Sequence, residues 1–261
     1  MNVEQSRILS QDEYSGVYTV LVLEAPAIAS AVKPGQFVYM RIPRLGESVL
    51  RRPFSVFKAD AGTLSILYKR VGKGTSVLNT VQPGEVVSLM GPLGKGYPLD
   101  GIDKFPVLVA GGYGVAPLCF LASRMPEKGL LFVGGSKAGD VLCVEEFEKI
   151  GWEVQVATED GSTGCKGLVT DLLDAWLKSY KGEKEPELFA CGPDGMLKAI
   201  GERAIKNELT AWLSLEKHMG CAVGACLACV HKIKLDDNTE AWGRVCKDGP
   251  VFESRKIQEC M

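Results

Sequence analysis

The fold class of this chain follows from one stretch, FPVLVAGGYGVAPLCFLASRM, which spans residues 105–125. It begins with a continuous apolar run that predicts a buried strand, and apolar residues at helical spacing follow from Val115. Between the two lie Gly111, Gly112 and Gly114, so the strand meets the helix at a glycine-rich turn. Glycines at such a junction let the backbone approach a bound pyrophosphate. The G-x-G-x-x-G pattern is absent, however, and a plain tight turn explains these glycines equally well.

Strand and helix alternate from this stretch towards the carboxyl end. The runs GLLFVGGS, EVQVATEDG and ELFACGP predict three further strands, and the helical patterns CVEEFEKIG, LVTDLLDAWLKSY and GMLKAIGERAIKN follow them in turn. The run AWLSLEKHMG predicts a last strand. This alternation predicts a parallel sheet with crossover helices, which is a doubly wound α/β domain.

Several residues at the predicted strand ends are candidates for ligand contacts, because open α/β sheets bind ligands at that edge. Cys191 and Gly192 end the fourth strand, where Cys191 could touch a nicotinamide ring or simply pack. The acidic residues of ATEDGS, residues 157–162, could hydrogen-bond a ribose or cap a turn. Ser136 and Lys137 could suit a 2′-phosphate, so the residues alone leave NAD and NADP open.

Residues 11–98 have a different pattern, in which short strands are separated by turns. Runs rich in Val, Ile, Tyr and Phe alternate with KPG, DAG and QPGE, which are typical turn sequences. Regular strand spacing of this kind predicts a small antiparallel barrel or sandwich.

Two motifs within this region could bind phosphate. RRPFS contains Arg52, whose guanidinium fork would pair with phosphate oxygens, and Phe54, which could cover a flat ring. An exposed basic strand end explains the same motif. YKRVGKGTS contains Gly74 and Thr75 in a turn whose amides could cradle a second phosphate.

Composition limits the classes of function. Lys plus Arg total 30 and Asp plus Glu total 32, so no basic surplus indicates a nucleic-acid partner. The amino-terminal stretch MNVEQSRILSQDEY is polar and has no signal-peptide core. No run approaches the roughly 18 apolar residues of a membrane span. We therefore expect a cytoplasmic protein with neither nucleic acid nor membrane as partner.

Four of the nine cysteines form a pattern near the carboxyl end. HMGCAVGACLACVHK, residues 218–232, contains Cys221, Cys226 and Cys229, and Cys246 follows after sixteen residues. The spacing C-x4-C-x2-C…C is that of plant-type 2Fe–2S clusters. Zinc is the main alternative, but zinc sites usually carry two C-x2-C pairs. Structural or redox thiols are a further alternative, whereas disulfides do not suit a reduced compartment.

The other cysteines and the two histidines give weaker signals. The cysteines lie in scattered apolar, loop or terminal positions, where packing is the simplest role: Cys119, Cys143, Cys165, Cys191 and Cys260. We expect His218 and His231, which flank the cysteine run, to be surface residues rather than ligands.

Taken in order, these motifs resemble those of a known family. RRPFS, VGKGT, GPLGKGY, AGGYGVAP and ACGP are similar to motifs of the ferredoxin–NADP reductase superfamily. SLEKHMGCAVGACLACVHK and VCKDGPVF resemble the electron-transfer subunits of the NAD-dependent, FMN-containing type of dihydroorotate dehydrogenase. The resemblance covers essentially the whole chain. It implies a six-stranded antiparallel β-barrel for FAD over residues 1–100, a doubly wound parallel α/β domain for NAD over 101–212, and a small plant-type 2Fe–2S domain over 213–261.

The resemblance also implies roles for individual residues. FAD would be bound by Arg52, Pro53, Phe54, Ser55, Tyr68, Lys69, Arg70, Gly74 and Thr75. The nicotinamide dinucleotide would contact Gly111, Gly112, Gly114 and Gly192, and the candidate catalytic residues near its reacting ring would be Cys191 and Glu216. The cluster ligands would be Cys221, Cys226, Cys229 and Cys246.

The function implied is electron transfer within a complex. Dihydroorotate would be oxidised at the FMN of a catalytic partner subunit, with two copies of each chain, and electrons would pass through the 2Fe–2S cluster and FAD to NAD+ in de novo pyrimidine (UMP) biosynthesis. A second hypothesis is the flavin subunit of a hydrogenase, sulfide dehydrogenase or electron-bifurcating transhydrogenase. A third is a non-enzymatic regulator with a zinc-bound tail.

Overall fold

A seven-stranded antiparallel sheet occupies the first part of the chain. The structure, a computed structural model, describes residues 1–46, 50–99 and 103–257, so Cys260 lies outside the described residues. The strands run in the order β4-β3-β7-β1-β2-β6-β5. Their bounds, with those of two short helices, are β1 (Asn2–Ser15), β2 (Tyr18–Glu24), α1 (Pro26–Ala29), β3 (Phe37–Arg41), β4 (Arg52–Ser55), β5 (Lys58–Asp60), β6 (Thr63–Lys69), α2 (Lys73–Leu78) and β7 (Val86–Leu93).

This sheet curls into the expected barrel. Alternate residues of its strands point into one core, to which Leu21, Ile66 and Leu89 contribute. The rings of Phe54 on β4 and Tyr68 on β6 lie 6.0 Å apart, edge to face, although these strands are far apart in the sheet order. The core is therefore enclosed by the sheet itself.

The strand count differs from the six strands that were expected. The run LRRPFSVFKA reads as one strand in the sequence, but β4 ends at Ser55 and β5 begins at Lys58. Between them Val56 and Phe57 are almost fully buried, at 1% and 2% exposure. Val56 packs into the barrel core with Phe54 and Ala59, whereas Phe57 packs into a second core on the opposite face. Because Val56 and Ala59 share a face although they are an odd number of residues apart, the inside–outside alternation of a single strand is broken here.

The second sheet is parallel, as the sequence predicts. Its strand order is β11-β10-β9-β8-β12-β13-β16, and only β16 runs antiparallel to its neighbour. The strands and helices are β8 (Phe105–Gly111), α3 (Val115–Arg124), β9 (Leu130–Gly135), α4 (Val144–Lys149), β10 (Glu153–Thr158), β11 (Cys165–Lys166), α5 (Val169–Ser179), β12 (Pro186–Cys191), α6 (Asp194–Lys206), β13 (Thr210–Ser214) and β16 (Val251–Glu253). The doubly wound α/β prediction is confirmed.

Burial on both faces of the sheet explains the unbroken apolar strands. On β8, Val109 faces the core that includes α5 and α6, whereas Leu108 faces the core that includes α3 and α4. Consecutive residues are thus both buried, on opposite faces, and no polar alternation is needed. The strand order reverses at β8, which has β9 on one side and β12 on the other. That reversal is the topological switch point at which such sheets bind ligands.

The carboxyl-terminal segment lies against both sheets. It contains the two-stranded sheet of β14 (Val230–Lys234) and β15 (Glu240–Arg244), and it ends in β16 and α7 (Ser254–Ile257). Just before β16, the amide of Lys95 in the barrel region donates to the carbonyl of Gly249, and the amide of Leu215 donates to that of Pro250. None of the helices in the described ranges is long and apolar enough to cross a membrane.

The domain limits given above stay a prediction. β13 extends across the limit between 212 and 213, and β16, from the segment assigned to the cluster domain, pairs with it. The α/β sheet is thus completed by residues from the end of the chain.

Candidate functional site

Two glycine-containing turns meet at the switch point of the α/β sheet. β8 ends at Gly111 and leads through a 3-10 turn, Gly112–Gly114, into α3. A β-carbon on Gly114 would lie 2.3 Å from the carbonyl oxygen of Cys191, and one on Gly111 would lie 2.7 Å from Pro193 Cδ. Side chains at these positions would force the two turns apart. The site therefore offers backbone and a helix amino terminus, which suits a pyrophosphate.

Gly112 and Gly192 complete this pair of turns. Gly112 has a φ of +53°, in the left-handed region that favours glycine, and a β-carbon there would have open space around it. A β-carbon on Gly192 would instead lie 2.5 Å from Met196 Cε and 3.0 Å from the amide nitrogen of Gly111. The structure thus brings all four predicted dinucleotide-binding glycines to one edge of the sheet.

Cys191 is held as a neutral thiol at this edge. Burial raises its pKa to about 12; a hydrogen bond with Ser214 acts in the opposite direction, and the nearby charge of Glu216 raises the pKa further. A thiol with so high a pKa is a poor nucleophile and a poor metal ligand at neutral pH. Cys191 can therefore contact a ligand without reacting with it.

Tyr113 connects this edge to the segment that precedes the cysteine run. Its hydroxyl donates to Glu216 Oε2 at 3.4 Å, and its side chain remains 42% exposed. Burial of the phenol and the charge of Glu216 raise the pKa of Tyr113 to about 12, while the positive charge of Lys69 opposes them. The sequence analysis did not place Tyr113 in the site. The only signal for this residue in the sequence is that a bulky aromatic side chain stands within a glycine-rich turn.

Lys69 comes from the barrel and is held in place by the α/β domain. Its Nζ lies 3.4 Å from Asp140 Oδ1, which also accepts a 2.6 Å hydrogen bond from the Tyr18 hydroxyl. Tyr18 and Lys69 are register partners on β2 and β6, with the ammonium 5.1 Å from the centre of the tyrosine ring. The hydrogen bond from Tyr18, followed by the interaction with Lys69, lowers the pKa of Asp140.

A second cationic position lies on the barrel beside the first turn of α2. A β-carbon on Gly74 would be 3.5 Å from Arg52 Nε, so the arginine lies against the turn. Thr75 stabilises this turn, because its hydroxyl accepts hydrogen bonds from the amides of Val71 and Gly72 at 2.9 Å and 3.2 Å. A guanidinium next to a glycine turn suits a phosphate.

The other predicted FAD residues divide into buried and accessible positions. Phe54 and Tyr68 are 9% and 3% exposed, and the Tyr68 hydroxyl donates to Asn79 Oδ1 at 3.3 Å. Burial raises the pKa of Tyr68 to about 12. These two rings therefore shape the barrel interior. The accessible or half-buried positions are Pro53, Ser55, Lys69 and Arg70.

The four cysteines of the carboxyl-terminal run form two neighbouring pairs. Cys221 contacts Cys226, and the amide of Cys226 donates to Cys221 Sγ at 3.3 Å. Cys246 contacts Cys229, and its amide donates to Cys229 Sγ at 3.4 Å. Burial, the contact with Cys229 and a smaller contribution from Cys221 raise the pKa of Cys246 to about 12, so the two pairs lie within electrostatic range.

Backbone amides favour a thiolate at Cys221. Burial opposes its ionisation, but hydrogen bonds from the backbone of Cys226, Val223 and Ala225 more than offset that effect and lower the pKa of the thiol to about 6. Such amides are the donors that hold the negative charge of an iron–sulfur cluster.

The loop reaches this geometry through left-handed residues. Gly224 has a φ of +85°, and the non-glycine residues Ala222 and Leu227 also lie in the left-handed region, at +58° and +60°. Strained positions of this kind persist where the surrounding structure requires them, which is common at ligand sites.

A binuclear cluster fits these cysteines better than a single ion. Two thiol pairs match two irons that each take two cysteine ligands. His218 is exposed, as expected, whereas His231 is half-buried and its Nε2 has no hydrogen-bond partner within the described structure.

Comparison with protein families matches both ends of the chain. Residues 3–97 match the oxidoreductase FAD-binding domain. Residues 216–258 match the iron–sulfur cluster binding domain of dihydroorotate dehydrogenase B.

Curated relatives match along the whole length. The chain is 38% identical to the dihydroorotate dehydrogenase B (NAD(+)) electron transfer subunit of Geobacillus kaustophilus, over 98% of this chain and 97% of the relative. It is 37% identical to the corresponding subunit of Bacillus cereus strain B4264, over 97% of each chain. The chain belongs to this family of electron transfer subunits. The resemblance that the motifs indicated is thereby confirmed, and so are a site for FAD and a site for an iron–sulfur cluster.

Solved structures agree on the fold. One solved chain superposes with a TM-score of 0.83 at 26% identity, covering 97% of this chain and 90% of that chain. It comes from a structure of an NADH-dependent reduced ferredoxin–NADP oxidoreductase, described in a study of flavin-based electron bifurcation. A ferredoxin NADP+ reductase from Neisseria gonorrhoeae, with bound FAD and NADP, gives 0.66 at 16% identity, covering 78% of this chain and 91% of that one.

The close approach of the two glycine turns gives a direct prediction. Gly114→Ala should weaken NADH binding, because the added β-carbon would meet the Cys191 carbonyl at 2.3 Å and backbone must move. We expect an overpacking cost of about 1–3 kcal/mol in the binding-competent state, measured as the NADH dissociation constant by titration.

Gly195→Ala is the matched control, since a β-carbon there meets nothing within 4 Å. FAD content should be normal in both variants. Equal NADH affinity in Gly114→Ala and wild type would contradict this assignment of the dinucleotide site.

Proposed function

We propose that this chain passes electrons from the FMN of a dihydroorotate dehydrogenase catalytic subunit to NAD+, while it holds FAD in the barrel and a 2Fe–2S cluster in the carboxyl-terminal segment. One observation carries the proposal. The Tyr113 hydroxyl reaches Glu216 at 3.4 Å within electrostatic range of Lys69. Residues assigned to the dinucleotide turn, the flavin barrel and the entry to the cysteine run therefore meet at one place.

The barrel residues would bind and orient FAD. Arg52 and the Gly74–Thr75 segment would hold its pyrophosphate, because the Arg52 side chain lies against Gly74 and a guanidinium fork suits phosphate oxygens. Ser55 and Lys69 would line the accessible edge of the flavin, and Phe54 and Tyr68 would support it from the barrel interior. Pro53 and Arg70 would contribute mainly through backbone and position.

The α/β residues would present the nicotinamide to that flavin. The turns of Gly111–Gly114 and Gly192 would receive the dinucleotide, and the neutral thiol of Cys191 would lie beside the nicotinamide ring. Glu216, tied to Tyr113, would keep a carboxylate next to the reacting rings. Its role would be to orient the groups that it contacts in this cleft.

Cys221, Cys226, Cys229 and Cys246 would hold the cluster. When bound, the cluster supplies one-electron exchange and FAD supplies the conversion between single electrons and a hydride. The amides around Cys221 would stabilise the thiolate form that metal binding requires.

The catalytic partner would supply the dihydroorotate site. The relatives are named as electron transfer subunits, which implies a separate catalytic chain. We propose a complex with two copies of each chain, in the cytoplasm, acting in pyrimidine biosynthesis. The eight cysteines in the described ranges are all free thiols, which suits a reducing compartment.

A flavin subunit of an electron-bifurcating oxidoreductase is the second candidate. The superposition with a TM-score of 0.83 favours this candidate, but the sequence identity to that chain is 26%. The identity to the dihydroorotate dehydrogenase subunits is higher, at 38%. The partner that co-purifies separates the two, because only an FMN-containing dihydroorotate-oxidising chain supports the first.

The cluster assignment is tested by Cys226→Ser. This variant should lose the visible absorbance of the cluster and NAD+-linked orotate formation by the reconstituted complex, because one iron loses a thiolate. FAD content and reduction of the flavin by NADH should remain. Cys165→Ser, at an exposed cysteine outside the run, should match wild type. If NAD+-linked turnover persisted without the cluster, the proposed route would be wrong.

The cofactor preference is tested at Glu159, which directly follows β10 and whose amide donates to the carbonyl of Gly135 at the end of β9. Ser136, a candidate for binding a 2′-phosphate, instead donates its hydroxyl to Glu159 Oε1 at 2.9 Å. The carboxylate would accept from a ribose hydroxyl and repel a 2′-phosphate, so we propose that it favours NAD over NADP.

Glu159→Gln should raise the ratio of kcat/KM for NADPH over NADH about fivefold, since an exposed charge contributes about 1 kcal/mol or less. The change should fall mainly on KM for NADPH, measured by flavin reduction at several concentrations. Glu145→Gln, another exposed glutamate that pairs with Lys149 on α4, is the control. An unchanged ratio in Glu159→Gln would refute this role.

A further inference from the structure

Tyr39 connects the flavin side of the barrel to the start of the cysteine run. It lies on β3, where its register partner is Pro53 of β4, within the motif assigned to FAD. Its side chain is only 2% exposed. Its hydroxyl lies 3.0 Å from the carbonyl oxygens of both Met219 and Gly220, which are 180 and 181 residues away along the chain. A phenol has one proton, so the two carbonyls share a single donor.

The two carbonyls belong to the residues that set the first pair of thiols. Met219 and Gly220 come directly before Cys221. A β-carbon on Gly220 would lie 3.1 Å from Cys226 Sγ, so this backbone is also packed against the second cysteine. A displacement of Gly220 would therefore move the Cys221–Cys226 pair.

The second pair of thiols is fixed in another way. The amide of Val245 donates to the Cys229 carbonyl, and Asp248 accepts hydrogen bonds from both the backbone and the guanidinium of Arg244. These contacts lie within the carboxyl-terminal segment. Tyr39 differs from them because it links the first pair to the barrel, and hence to the flavin.

We propose that Tyr39 is a positioning residue whose hydroxyl holds the Cys221–Cys226 pair at a fixed separation from the flavin and so sets the rate of electron transfer between FAD and the cluster. This inference rests on the proposed function. Electron transfer slows steeply as donor and acceptor separate, so a tether at this point affects that step and leaves hydride transfer from the dinucleotide unchanged.

The test uses Tyr39→Phe in the full chain loaded with both cofactors. The substitution keeps the ring that packs in the barrel and removes only the oxygen, so the protein should fold, with normal FAD content and cooperative unfolding. Tyr14→Phe is the matched control. Its hydroxyl donates to Glu146 at 2.8 Å and accepts from the amide of Cys143 at 3.1 Å, so it also joins the barrel to the α/β domain, but through residues outside the cysteine run.

Two steps are followed after anaerobic mixing with NADH. NADH is oxidised to NAD+ and gives two electrons to FAD, seen as flavin bleaching. One of those electrons then passes to the oxidised cluster, seen as cluster bleaching, and the other stays with the flavin. The electron paramagnetic resonance spectrum of the reduced cluster reports independently on the geometry of its ligands.

For Tyr39→Phe we expect flavin bleaching at the wild-type rate, cluster bleaching slowed severalfold because the Cys221–Cys226 pair is no longer held at its separation from the flavin, and a broadened resonance spectrum. Tyr14→Phe should match wild type in all three measurements. If Tyr39→Phe is indistinguishable from wild type in cluster bleaching and in the spectrum, the inference is overturned while the proposed function stands. If the wild-type protein holds no cluster that NADH can reduce, the proposed function itself fails.

Discussion

The architecture depends on the antiparallel pairing of β16 with β13. Through this pairing Trp212, Leu213 and Ser214 lie opposite Glu253, Phe252 and Val251, so the end of the chain returns to the α/β sheet. The residues just before β16 also contact the barrel, because the Lys95 amide donates to the Gly249 carbonyl. The cysteine run is therefore held between two domains that are assigned to the other two redox groups. The β14–β15 hairpin, in which Val230 pairs with Arg244, brings Cys246 beside Cys229.

The thiols of this chain show how environment separates their roles. Amide donors lower the pKa of Cys221 to about 6, while burial raises that of Cys191 to about 12. The first suits a thiolate ligand, and the second suits an unreactive wall of the proposed nicotinamide site. Cys246, also with a raised pKa, becomes a ligand only through the charge that a metal brings. The spacing of the cysteines in the sequence identified the candidate cluster ligands. Only the structure shows how the pKa values of the individual thiols differ.

Much of the fold was predictable because its signal is local. The apolar run of β8 and the glycines after it are local features, and so is the C-x4-C-x2-C spacing. β1 was less visible: it spans Asn2–Ser15, but only Ser6 and Ile8 are buried, so its sequence is polar. The short strand β16 owes its place to pairing with β13 rather than to its own pattern. Contacts such as Tyr39 with Gly220 join residues 181 positions apart and leave no mark in a single sequence.

The most direct measurement is purification of this chain together with its native partner, followed by cofactor analysis and an anaerobic assay with dihydroorotate. The account predicts FAD and a 2Fe–2S cluster on this chain, FMN on the partner, and orotate formation coupled to reduction of NAD+ in preference to NADP+. The partner alone should oxidise dihydroorotate without reducing NAD+. A colourless chain that contains zinc, or a complex in which NAD+ reduction does not require this chain, would contradict the account.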